Sequence, residues 1–93
     1  MIEVQQTGSG DPIEFAVTVK EGGGHTRHRV TMSRADGDRL GGGRATPVAV
    51  IQAAFRFLLD HESKESILGR FDVTVISRYF PEFENELPRY LRD

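Results

Sequence analysis

The sequence predicts an α+β domain in which a three-stranded antiparallel meander packs against one main helix. Apolar and polar residues alternate through the first third of the chain, and a capped, strongly apolar segment follows at residues 47–61. Shorter helical segments fill the remainder. A chain of 93 residues is long enough for one core and too short for two. We therefore expect a single domain over 1–93, with the meander in 1–32 and mainly helical structure in 33–93.

Three segments with a period of two predict the strands of the meander. Their inward-facing residues are Ile2, Val4, Ile13, Phe15, Val17, Val19, His28, Val30 and Met32. Residues 7–12 and 21–24 supply the glycine and proline that the connecting turns need. The opposite face is polar, and we expect it to be wet. Its residues are Ala16, Thr18, Lys20, Arg27, Arg29 and Thr31.

Two helices are predicted next, each with a recognisable start. Ser33 is the cap of a short helix that runs to Leu40 and ends at the glycines 41–43. Thr46 is the cap of the main helix, 47–61, which has proline at its first position. Apolar side chains cover about half of this helix's circumference or more, against ~100° for a helix on the surface. We expect it to be the centre of the fold.

The segment 72–80 admits two interpretations. Its run of β-branched residues, 73–76, favours a strand. On a helix capped by Asp72, the apolar residues instead form one continuous arc, with Thr74 and Arg78 opposite. We prefer the helix and leave the strand open.

Short helical turns are predicted on either side of that segment. The turn after Ser63 is expected to face Ile67 and Leu68 inward. After 72–80, Phe83 and Leu87 return a last turn to the core. Pro88 disfavours any continuation, so we expect the tail after residue 88 to fray.

Composition excludes several classes of function. Charged residues make up 28% of the chain and the net charge is −2, which is typical of a soluble domain and not of a polyelectrolyte binder. The chain has no cysteine, so disulfides and thiolate metal sites are impossible, and a cytoplasmic location is expected. No stretch approaches the ~20 apolar residues that span a bilayer.

The titratable residues form no pattern that predicts catalysis or metal binding. His25 and His28 are three apart in a strand, which places them on opposite faces, and no further ligand is near in sequence. The acidic residues fall in segments that read as polar surface, and no nucleophile is paired with a base. The sequence therefore predicts a non-enzymatic protein without a cofactor.

Basic residues provide an alternative function as a small nucleic-acid-binding domain. Lys20, Arg27 and Arg29 lie on the wet sheet face. Arg44 lies in the string GGGRATP, just before a helix N-terminus, where backbone amides attract anions. That string lacks the Walker pattern, and the sheet face lacks aromatic residues on which bases could stack. These four residues are the candidate anion or nucleic-acid contacts.

A surplus of large apolar side chains predicts an interaction surface. The main helix and the segments after residue 70 offer more apolar surface than one small sheet face covers easily. The candidate surface is Phe57, Leu59, Tyr79 and Phe83. The sequence thus predicts a homodimer or a complex with another protein chain, in which a charge at Phe57 weakens association more than folding. Alternatively, the short helices after Ser63 cover the surplus internally.

Two strings, FRFLLDHESKESIL and FDVTVISRYFPEFE, resemble a family of small uncharacterised bacterial proteins. They cover about half of the chain and contain no catalytic or binding motif. The resemblance therefore implies no site and no mechanism. The function that the residues favour is a non-enzymatic protein-interaction or homodimerising module.

Overall fold

A computed structural model describes residues 1–92 of the chain. Its strands are β1 (Ile2–Gly8), β2 (Ile13–Glu21), β3 (Gly24–Met32) and β4 (Arg70–Asp72). Its α-helices are α1 (Arg34–Leu40), α2 (Pro47–His61), α3 (Ile76–Tyr79) and α4 (Phe83–Leu91). Two 3-10 turns lie at Lys64–Ser66 and Val73–Val75. The predicted α+β class is confirmed. The sequence predicts a single domain over residues 1–93, and the last of these, Asp93, lies outside the described residues.

The sheet has the order β1-β2-β3-β4. The first three strands form the predicted antiparallel meander, whereas β4 runs parallel to β3. A two-residue turn joins β2 to β3, and both of its residues, Gly22 and Gly23, have positive φ angles of 64° and 82°. Glycine adopts that conformation without steric cost, which is why the hairpin turns at this point.

The prediction of three strands missed β4. This strand has only three residues, too few to show an alternating pattern. It is joined to the sheet through the backbone, because the Arg29 N–H donates to the carbonyl of Gly69 at 2.8 Å, and Val30 pairs with Phe71. A strand of three residues is identified by its pairing with a neighbouring strand, here β3, and not by a pattern in its own sequence.

The core lies between the inner sheet face and the helices. Phe15, Val17 and Val19 of β2 are at most 1% exposed. Opposite them, α2 buries residues on most of its circumference, including Phe55 and Phe57. Helix α2 is therefore central to the fold, as predicted.

The segment after β4 is helical, which confirms the preferred interpretation of 72–80. The carboxylate of Asp72 accepts a hydrogen bond from the Thr74 backbone N–H at 3.1 Å, and the chain turns there from strand to helix. Among the β-branched residues that follow, Val73 and Ile76 are buried on one side of the helical segment. Packing on a helical face thus outweighs their strand propensity.

The C-terminal tail differs from the expectation of fraying, because α4 continues through Pro88 to Leu91. A proline inside a helix loses one hydrogen bond and costs about 3 kcal/mol. Burial of Leu87 offsets this cost. The packing of Tyr90 also offsets it, because the Tyr90 ring lies edge-on to the ring of Phe57 with centroids 5.8 Å apart.

Candidate functional site

An open apolar groove of about 340 Å³ lies between the C-terminal end of α2, the first 3-10 turn and α3. Its apolar wall consists of Leu58, Ile67, Phe71, Val75, Ile76 and Phe80. Two further residues at its rim, Leu68 and Tyr79, are 47% and 68% exposed. Besides Met1, they are the exposed large apolar side chains of residues 1–92. The groove therefore lies where these two exposed apolar side chains meet the surface.

The outward position of Leu68 corrects the prediction that it faces the core. Its carbonyl oxygen accepts a hydrogen bond from Nδ1 of the buried His28 at 2.7 Å, and the next carbonyl, of Gly69, accepts from β3. The chain is therefore extended along β3, and successive side chains point in opposite directions. Ile67 turns inward, as predicted, and Leu68 turns to the groove.

Glu62 is the charged residue in the groove lining. It is the C-cap of α2, so its carboxylate lies near the negative end of the helix dipole. Burial raises the pKa of this carboxyl above its ordinary value, and the nearby His61 opposes the rise only in part. None of the ion pairs within residues 1–92 includes Glu62. The groove is accordingly apolar with one acidic corner.

The four residues of the predicted interaction surface do not form one surface. Phe57 and Phe83 are 0% and 1% exposed, with ring centroids 5.1 Å apart in the core. Helix α4 folds back over α2 and covers the margin of the apolar arc that the helical wheel left open. Leu59 is half-buried and lines a separate cleft beside Ile2. Only Tyr79 of the four lies at the groove.

The candidate anion contacts divide between two places. Lys20, Arg27 and Arg29 lie exposed on the outer sheet face, and Arg70 of β4 pairs in register with Arg29. Arg70 was missed because β4 was missed. Acidic side chains are interspersed on this face, since Lys20 lies 3.4 Å from Glu3. The face is thus mixed in charge.

Arg44 lies elsewhere, in the loop before α2, and the loop does not form an anion cradle. The Gly43 N–H donates to the Asp38 carbonyl at 2.9 Å, and the Ala45 N–H donates to Gly41 at 3.1 Å. The Ala49 N–H is bonded to the side chain of Thr46. These backbone N–H groups already donate hydrogen bonds within the protein.

The histidines lie as the strand pattern predicts. His25 is exposed, whereas His28 is 3% exposed on the inner face. Because a carbonyl only accepts, Nδ1 of His28 is the donor to Leu68, and Nε2 lies 2.8 Å from the Thr26 hydroxyl. This histidine ties β3 to the loop of the groove. Within residues 1–92, no group of three or more His, Asp or Glu side chains is placed to hold a metal ion.

Comparisons of the chain with protein-family models, with curated proteins and with solved structures find no match. In the part of the chain that the structure describes, no helix has the length and apolar character needed to cross a membrane.

Proposed function

We propose that the protein is a cytoplasmic, non-enzymatic interaction module that docks a segment of polypeptide in the groove beside Tyr79. The observation that carries the proposal is the coincidence of the groove with the exposed side chains of Leu68 and Tyr79. A volume of about 340 Å³ is at the lower end of the range for ligand pockets, ~300–1,000 Å³. It can therefore accept one or two large side chains.

The surroundings of the groove favour binding with little rearrangement. The Asp72 cap fixes one wall, and the hydrogen bond from His28 to Leu68 fixes the loop that forms the rim. A preformed site avoids much of the entropy cost of ordering on binding. Tyrosine is also among the residue types that contribute most to interface affinity, because it combines a large rigid ring with a polar end.

The alternative, a nucleic-acid-binding domain, has weaker support. The outer sheet face places Lys20, Arg27 and Arg29 together, but Arg44 does not join them. Acidic residues lie among the cations. Single-stranded nucleic acids are bound by stacking bases on aromatic side chains. The outward residues of β2 and β3 include no Phe, Tyr or Trp, and His25 is the aromatic ring that they offer. The groove is the better-supported site.

A peptide-display library panned against the full chain tests the proposed function. We expect enriched peptides with a bulky apolar residue, and their synthetic forms should shift the backbone NMR signals of Leu58, Ile67 and Val75. The exposed-site variants Leu68→Glu and Tyr79→Glu should abolish this binding while the protein stays folded. Thr18→Glu, on the outer sheet face, is the matched control and should bind normally. Absence of any enriched peptide, or shifts confined to the outer sheet face, would contradict the proposal.

A further inference from the structure

The groove has one charged side chain in a lining that is otherwise mostly apolar. Glu62 is partly buried there, at the corner where α2 ends. Among residues 1–92, no lysine, arginine or histidine shares the lining with it. Such a recess is complementary to a ligand that offers an apolar group to the wall and a positive charge to the corner.

The protein's own cations leave this carboxylate without an ion pair. None of the ion pairs within residues 1–92 includes Glu62. Lys64, two residues further on, lies 2.8 Å from Glu65 instead. The imidazole of His61 lies 3.8 Å from the carboxylate of Glu82. The countercharge for Glu62 is therefore not supplied by the neighbouring cationic side chains.

Two features of the fold make this position unfavourable for a lone carboxylate. Glu62 directly follows the last turn of α2, where the negative end of the helix dipole disfavours a negative charge. Burial in the groove also removes part of the water around the carboxyl group and raises its pKa. A cation at this corner relieves both effects, because it pairs with the carboxylate and lies at the negative end of the helix.

We infer that the groove selects a polypeptide segment in which a bulky apolar residue has a lysine or arginine within two residues of it, and that Glu62 recognises the cation. This rests on the proposed function, because it specifies the peptide that the groove accepts. The apolar side chain packs against the wall at Ile67 and Val75, and the cationic head remains at the partly hydrated corner. In an extended segment, side chains two residues apart point to the same side, so both can enter from one face.

Peptide-display panning against three forms of the full chain tests this selection. Wild-type protein should enrich lysine and arginine within two residues of the apolar anchor, and Glu62→Gln should show no preference for either charge. Glu62→Lys should enrich aspartate and glutamate at the same positions, because the sign of the corner is reversed. The matched control is Glu14→Gln, which removes an exposed carboxylate from the outer sheet face and should keep the wild-type preference. Circular dichroism confirms that each variant is folded.

The affinity of the strongest wild-type peptide, measured by fluorescence anisotropy, gives a second readout. Glu62→Gln should weaken its binding about fivefold, which corresponds to ~1 kcal/mol. Exchanging the peptide's cation for glutamate should restore binding to Glu62→Lys. Groove-binding peptides with no excess of cations overturn the inference and leave the proposed function standing, and so does a cation preference that Glu62→Gln retains. Absence of any peptide that binds in the groove overturns both.

Discussion

Phe57→Ala tests whether α4 covers the apolar margin of α2. The ring of Phe57 is 0% exposed and lies within aromatic contact of four other rings. Their centroid distances are 4.2 Å to His61, 5.1 Å to Phe83, 5.7 Å to Phe80 and 5.8 Å to Tyr90. Removing the ring leaves a cavity between two helices, and the surrounding aromatic side chains are too bulky to fill it without strain.

The expected loss of stability follows from this packing. Truncating a buried phenylalanine to alanine costs about 3–5 kcal/mol, and each lost aromatic pair contributes a further ~0.5–1.5 kcal/mol. Partial collapse of the cavity lowers the sum. We therefore expect ~4–5 kcal/mol, a large part of the ~5–14 kcal/mol available to a domain of this length.

Urea unfolding followed by circular dichroism measures the effect. The midpoint should fall while the dependence on urea stays the same. Tyr79→Ala, at a 68% exposed ring, is the control and should change the free energy of unfolding by no more than ~0.5 kcal/mol. A loss below ~1 kcal/mol at Phe57 would refute the packing argument. If Phe57→Ala instead weakened association and left folding intact, Phe57 would be an interface residue, as the sequence suggested.

Three further predictions concern single hydrogen bonds and charges. Asp72→Ala should cost ~1–2 kcal/mol in urea unfolding, because it removes the cap of the turn at Thr74; an unchanged midpoint would contradict that role. Burial raises the pKa of Glu62, so wild-type stability should fall as pH rises from its ordinary 4.5 through the raised folded-state value. Glu62→Gln should lack that fall, and parallel pH profiles for the two proteins would disprove it. The hydrogen bond to Asp60 raises the pKa of Tyr90 to about 12. Asp60→Asn should lower the pKa of that phenol in an ultraviolet titration, and an unmoved curve would mean that Asp60 is not the cause.

The meander and α2 could be predicted because their signals lie within single segments. Alternation over 13–19 identifies a strand with one buried face, and the two glycines at 22–23 identify its turn. Thr46 and the proline after it mark the start of α2. At 72–80 the helical wheel was the better guide than β propensity, since one continuous apolar arc indicates how the segment packs.

The candidate site was less predictable, because it depends on contacts between distant segments. The sequence predicts Tyr79, Phe57 and Phe83 at an interaction surface because all three side chains are large and apolar. In the structure Tyr79 is exposed, whereas Phe57 and Phe83 are buried against each other. No local pattern distinguishes these cases. The rim residue Leu68 was expected inside, and its direction follows from a hydrogen bond to His28, 40 residues earlier in the chain.

The sequence by itself determined the strands of the meander, the starts of α2 and of the helical segment after Asp72, and the absence of disulfides. Those properties depend on side-chain periodicity, on backbone preferences and on caps a few residues away. Only the tertiary structure decided that β4 joins the sheet and that α4 continues through Pro88. It also decided that most of the large apolar side chains are buried and that Leu68 and Tyr79 stay exposed at the groove. Each of these features depends on burial between segments that are far apart in the chain. The residues within any one segment therefore do not determine it.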